Sequence, residues 1–159
     1  MHQDMDHKEN DKSPYIRILI MAAISFMSMY ILMYAMVDVF DNVYSSLNQL
    51  YMAGLMTAPM VIIEIILMRM MYRNRAWNAL ILAISAFALI SFWILIRQQV
   101  GINDKQFLRS MISHHASAIL MCEKAPIQDL EIKALCNEIL SSQQSQIDQM
   151  KDKLSELNK

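Results

Sequence analysis

The sequence predicts an all-α protein in which three transmembrane helices lead into an antiparallel helical hairpin. Three observations predict it. Apolar runs at residues 15–37, 51–72 and 77–96 fill the first two thirds of the 159 residues. Beyond residue 96 the chain turns polar, and its apolar residues recur at three- and four-residue steps. Only two Gly and three Pro interrupt the chain, and no strand-like alternation occurs. The expected organisation is a tail at 1–14, a membrane region at 15–96 and a helical-hairpin domain at 97–159.

Each apolar run is about 20 residues or longer, enough to cross a hydrocarbon layer of about 30 Å at 1.5 Å per residue. The first is too long for a signal peptide and lacks a small-residue cleavage site. Loop 38–50 carries Asp38 and Asp41 but no Lys or Arg, whereas Arg69, Arg73 and Arg75 edge the second loop and Lys8, Lys12 and Arg17 flank the first span. Positive charge marks the cytoplasmic side, so the N-terminus is expected inside and the hairpin outside. Tyr15, Tyr51, Tyr72 and Trp77 stand at span ends, where amphipathic rings prefer to lie.

The hairpin is read from local signals. Asn103 is a good N-cap with Gln106 three residues later, as in a capping box, and Ile102 and Phe107 fit a hydrophobic staple. This helix is expected to run to about Lys124. Residues 125–128, with Pro126, make the turn, and Asp129 caps the next helix. The second helix carries a stripe of Ile132, Leu135, Ile139, Gln143, Ile147, Met150, Leu154 and Leu157. Folding the chain about residue 127 sets Met111 opposite Gln143, and His114 and His115 opposite Ile139 and Leu140. Gln143, the polar break in the stripe, is then placed to hydrogen-bond a histidine and fix its tautomer. So small a pair of helices buries little surface, so it is expected to dimerise into a homo-oligomeric four-helix bundle or to dock on a partner.

The chemistry concentrates on the first hairpin helix. Met111, His114, His115, Met121 and Cys122 fall within an arc of about 140° at 100° per residue. Thioether, imidazole and thiol donors select Cu(I), and by extension Ag(I), over hard cations. Met and Cys also fill cores, which is the competing reading. The segment from Arg97 to Lys159 holds eight Lys/Arg and eight Asp/Glu, so it has no basic face for nucleic acid.

The run Met111-Ile-Ser-His114-His115-Ala-Ser-Ala118-Ile119-Leu-Met121 resembles the signature of the domain-of-unknown-function 305 family, whose CopM-like members bind copper. Gln143, Gln146-Ile147 and Met150 resemble its downstream pattern. The resemblance implies a ferritin-like helical fold and an extracytoplasmic role in copper or silver handling. It also implies His114, His115, Met111, Met121 and Met150 as ligands. Ser113 stands where the family often has Pro, and Cys122 and Cys136 stand where small residues are usual. The expected location is the cytoplasmic (inner) membrane of a bacterium, with the hairpin in the periplasm.

The two cysteines lie on opposite hairpin helices, near the turn. In an oxidising compartment they would pair; a buried free thiol and a thiolate ligand for Cu(I) are the alternatives. Of the 16 Met, 11 lie in or beside the spans. Met29, Met33 and Met36 share a face, and Met52, Met56 and Met60 follow at four-residue steps into Glu64 and Met68. An ionisable group in mid-span faces a cavity or a partner, so Glu64 is expected to mark a polar site, either staying protonated or pairing with Arg17 or a residue of another subunit. His2, Met5 and His7 form a looser cluster in the N-terminal tail.

These features predict binding of Cu(I) or Ag(I) for sequestration, hand-off or tolerance, with lipid, further copies and a metal-receiving protein as partners. The alternative is a metal transporter or transporter subunit working through Met-lined spans and Glu64. A structural membrane subunit is the bland third reading. A di-iron redox enzyme needs Glu-x-x-His on two helices, which the hairpin lacks, so no catalytic residue and no enzymatic activity are expected.

Overall fold

The computed structural model describes residues 3–158, with side chains from Pro14 to Asn158. His2 and the side chains of Met5 and His7 lie outside the described residues. All regular structure among them is helical: α1 (Gln3–Leu32), α2 (Leu47–Leu67), α3 (Arg75–Arg97), α4 (Asp104–Lys124) and α5 (Leu130–Leu157), with 3₁₀ turns at Met33–Met36 and Phe40–Asn42. The backbone is therefore helical from Gln3, where the sequence suggested only a tail.

Three stretches, Pro14–Met36, Leu47–Leu67 and Arg75–Arg97, are long and apolar enough to cross a membrane. The second begins four residues before its sequence estimate and ends five before it. Ser46 sets its start, since Ser46 Oγ accepts from the Gln49 N–H at 3.4 Å in an overlooked Ser-x-x-Gln cap. Glu64 consequently sits in the last turn of α2 rather than at mid-span. Met52, Met56 and Met68 are exposed on this chain.

The chain forms two compact units. One comprises residues 1–31 and 50–98. Its buried cluster is Ile18, Val61, Ile65 and Tyr72. Ala53, Gly54, Thr57, Ala58 and Ser85 are buried, and a Cβ at Gly54 of α2 would run into the Phe92 ring of α3. Asn74 caps α3, accepting from the Ala76 and Trp77 N–H groups. Tyr15 donates to Asn78 Oδ1 at 2.9 Å and accepts from the Asn74 N–H, so α1 is tied to that cap. The hydrogen-bond partner of Glu64 is the Tyr72 hydroxyl, at 3.1 Å, rather than the expected Arg17. Burial holds the Tyr72 hydroxyl above the ordinary tyrosine range, and its bond to Glu64 adds to the effect.

The other unit joins the hairpin to residues 32–49, a segment that the sequence reading left with the spans. Its core is Ile112, Ala116, Ile119, Ile147 and Leu154, onto which Val37, Tyr44, Leu108, Leu140 and Met150 pack. Ser113 Oγ donates to the Asn42 carbonyl at 2.9 Å and accepts from the Tyr44 N–H at 3.3 Å. Asn103 caps α4 as expected, accepting from the Gln106 N–H. The Gln106 side chain does not close the predicted box; its Oε1 accepts from the Leu47 N–H instead, at 2.9 Å. Gly101 takes φ 73°, a left-handed conformation open to glycine, between α3 and α4.

The turn follows from Pro126. A residue before proline avoids helical ψ, and Ala125 is extended at φ −67°, ψ 133°. Asp129 then caps α5 through the Glu131 and Ile132 N–H groups. The register differs from a fold about residue 127 by one to two helical turns: Cys122 meets Cys136, and His115 meets Gln146. Ile132 and Leu135, at the start of the predicted stripe, are exposed, whereas Ile147 and Leu154 are buried.

Candidate metal centre

Helix α4 buries Ile112, Ser113, His115, Ala116 and Ile119. That spacing puts His115 at the edge of the core, 8% exposed, and turns His114 outward. The two rings remain neighbours, with centroids 6.1 Å apart. On the facing helix, Met150 packs against the same core. Between α4 and α5 runs a groove of ≈ 220 Å³ lined by Met111, His115 and Met150 together with Phe107, Leu108, Gln146, Gln149 and Lys153. Three of the five residues expected as ligands thus line one groove.

His115 is held at both ring nitrogens. Nδ1 lies 2.9 Å from the Met111 carbonyl oxygen, and Nε2 lies 2.8 Å from the Gln146 amide oxygen. A backbone carbonyl only accepts, so Nδ1 carries the proton and a neutral ring keeps its lone pair on Nε2. With the Gln146 amide turned over, its NH₂ donates to that lone pair; the two orientations have the same shape. The residue that contacts the histidine is therefore Gln146. Gln143, expected in that role, lies one turn away and half-buried. The Gln146-Ile147 pair in the downstream pattern was the available signal for it.

His114 does not line the groove. Met121, 52% exposed, stands ten residues from Met111, about 15 Å along α4. Cys122 and Cys136 form a disulfide across the hairpin, with Cα atoms 5.3 Å apart. In this form neither sulfur is a thiolate ligand. Among the described residues, no three His, Cys, Asp or Glu side chains gather in a way that would hold a metal ion. The groove offers a different donor set, one imidazole nitrogen and two thioethers, with a small count of hard oxygen donors. Such a set suits a soft monovalent ion and not Ca²⁺, Mg²⁺ or a four-ligand zinc site. Lys153, the one cationic group lining the groove, is ion-paired with Glu156 at 2.7 Å; this hydrogen bond holds its ammonium above the ordinary lysine range.

Comparison with known proteins agrees with the hairpin's sequence pattern. The family model described as "Domain of unknown function (DUF305)" matches residues 96–158, which take in the whole of α4 and α5. An uncharacterized protein of Acanthamoeba polyphaga mimivirus is 34% identical over 142 residues, covering 87% of this chain and 91% of that protein. The likeness therefore extends from the hairpin into the apolar helices. No solved structure matches. The hairpin's double-histidine helix, its family match and a relative alike over nearly the full length lead to one conclusion: the chain belongs to the family of the domain of unknown function 305.

Proposed function

We propose that this protein captures Cu(I) or Ag(I) at a membrane, using Nε2 of His115 and the thioethers of Met111 and Met150. The observation that carries the reading is the convergence of these three side chains on one groove. The Met111 carbonyl supports it by leaving the Nε2 lone pair for a ligand. The ion displaces the Gln146 amide from Nε2 and is exchanged onward through the open face of the groove. Thioethers need no deprotonation and hold monovalent copper moderately, which suits sequestration and hand-off rather than permanent storage. The work of the site is ligand exchange, with no bond of a substrate broken.

The same proposal sets the groove outside the cytoplasm of a bacterial-type inner membrane, with the N-terminus inside. The Arg-rich loop between α2 and α3 supports this orientation. So does the disulfide, since structural disulfides persist in oxidising compartments. His114, exposed beside His115, serves as an entry ligand and not as a resident one.

Anaerobic Cu(I) titration of the full chain in detergent micelles, against a competing chelator, tests the reading. His115→Ala and the pair Met111→Leu/Met150→Leu should each weaken affinity by about 100-fold, at the upper end of what a site's supporting groups are worth. His114→Ala should weaken it by less than about tenfold. Wild-type affinity in His115→Ala, with the helical circular dichroism retained, overturns the proposal.

A further inference from the structure

We infer that Cys122 and Cys136, once reduced, form a second and independent site: a two-thiolate clamp for Ag(I) or Cu(I) that thiol–disulfide exchange opens and closes. The two residues lie at the turn end of the hairpin, with Cα atoms 5.3 Å apart. Cys122 is eleven residues from Met111, about 16 Å along α4, so this place is separate from the groove. It uses none of the groove's donors and does not require that site to work.

The helices hold the two sulfurs together without the bond between them. Asp129 caps α5, Pro126 fixes the end of α4, and Ile119, one turn before Cys122, and Leu140, one turn after Cys136, belong to the packed hairpin core. Reduction therefore leaves two thiols facing one another on a braced frame. Both side chains are half-buried, and the surrounding Met121, Glu123, Lys124 and Leu135 are exposed, so a reductant and a metal ion can reach them. No third His, Cys, Asp or Glu converges there among the described residues. Two thiolates alone fall short of the four ligands of a structural zinc site, but they satisfy a soft d¹⁰ monovalent ion.

The chemistry balances with a thiol reductant. One reductant thiolate attacks a cysteine sulfur, giving a mixed disulfide and releasing the other cysteine as a thiolate. A second reductant thiol resolves the mixed disulfide. The protein gains two electrons and two protons while two reductant thiols become one disulfide. Binding of the ion then releases both protons. Oxidation of the loaded pair by a disulfide reverses the electron count, re-forms the cysteine bond and expels the ion.

The test counts Ag(I) bound to the full chain in detergent micelles, before and after reduction by a phosphine that is removed under nitrogen. The reduced chain should hold one more Ag(I) per chain than the oxidised chain. Equal numbers overturn the inference. Cys122→Ser/Cys136→Ser should lose the redox-dependent equivalent, and His115→Ala/Met111→Leu should keep it while losing the groove's ion, so the two sites fail separately. A measurement on the unmutated chain stands beside these: equimolar Ag(I) should protect both reduced cysteines from iodoacetamide, read by mass spectrometry. Alkylation of both in the presence of Ag(I) also overturns it.

Discussion

At the scale of single residues, the proposed centre depends on which nitrogen of one imidazole is free. The Met111 carbonyl decides this for His115, and Gln146 covers the nitrogen that remains. On the proposed reading, a bound ion has to break that second contact, worth about 1 kcal/mol net. Gln146→Ala is accordingly expected to tighten Cu(I) binding about fivefold, measured by the same chelator competition; weaker binding would mean that the amide orients the ring instead of guarding it. Ser113 has a different part. Its hydroxyl meets a carbonyl and an N–H from the segment after α1, and it is 5% exposed. Ser113→Ala leaves both backbone groups short of a partner and should cost about 1–3 kcal/mol in thermal or denaturant unfolding, with metal stoichiometry unchanged.

At the scale of elements, most helices were legible because each carries its own punctuation. Asn103, Pro126 and Asp129 bound the hairpin helices where local rules put them, and hydropathy alone located three spans. What could not be read was register. Between Ala125 and Asp129 the chain turns tightly, the Ile127 N–H donating to the Ala125 carbonyl at 2.8 Å, and no residue in the turn specifies how far α5 slides along α4. A slide of one or two turns exchanged Gln143 for Gln146 and brought the cysteines into bonding range. Helix direction likewise separated His114 from His115: neighbours in sequence differ by about 100° around the axis, and here His115 lines the groove while His114 is exposed. The α2–α3 contact shows the same limit, since nothing in the sequence pairs Gly54 with Phe92. Gly54→Ala forces that ring aside. It should lower the stability of the membrane unit by about 1–3 kcal/mol, seen as a lower midpoint in detergent unfolding.

At the scale of the whole molecule, the prediction concerns sidedness. On the proposed topology the three candidate spans would set the tail and the hairpin on opposite faces of a bilayer, with the arginines of the second loop on the cytoplasmic side. Alkaline phosphatase joined after Lys159 should be active in a bacterial host, and a green fluorescent protein joined there through the general export route should stay dark. The opposite pair of results would put the groove in the reducing cytosol and remove the reason for a persistent disulfide. The hairpin is also not a bead hung on an anchor. Residues 32–49 fold with it, and Val37 and Tyr44 close one side of its core. Connections between spans ordinarily accept insertions freely. This one acts as a keel: an epitope tag spliced between Asp38 and Tyr44 would scuttle the distal helices, whereas the same tag at the Pro126 bend, away from the core residues, would spare them.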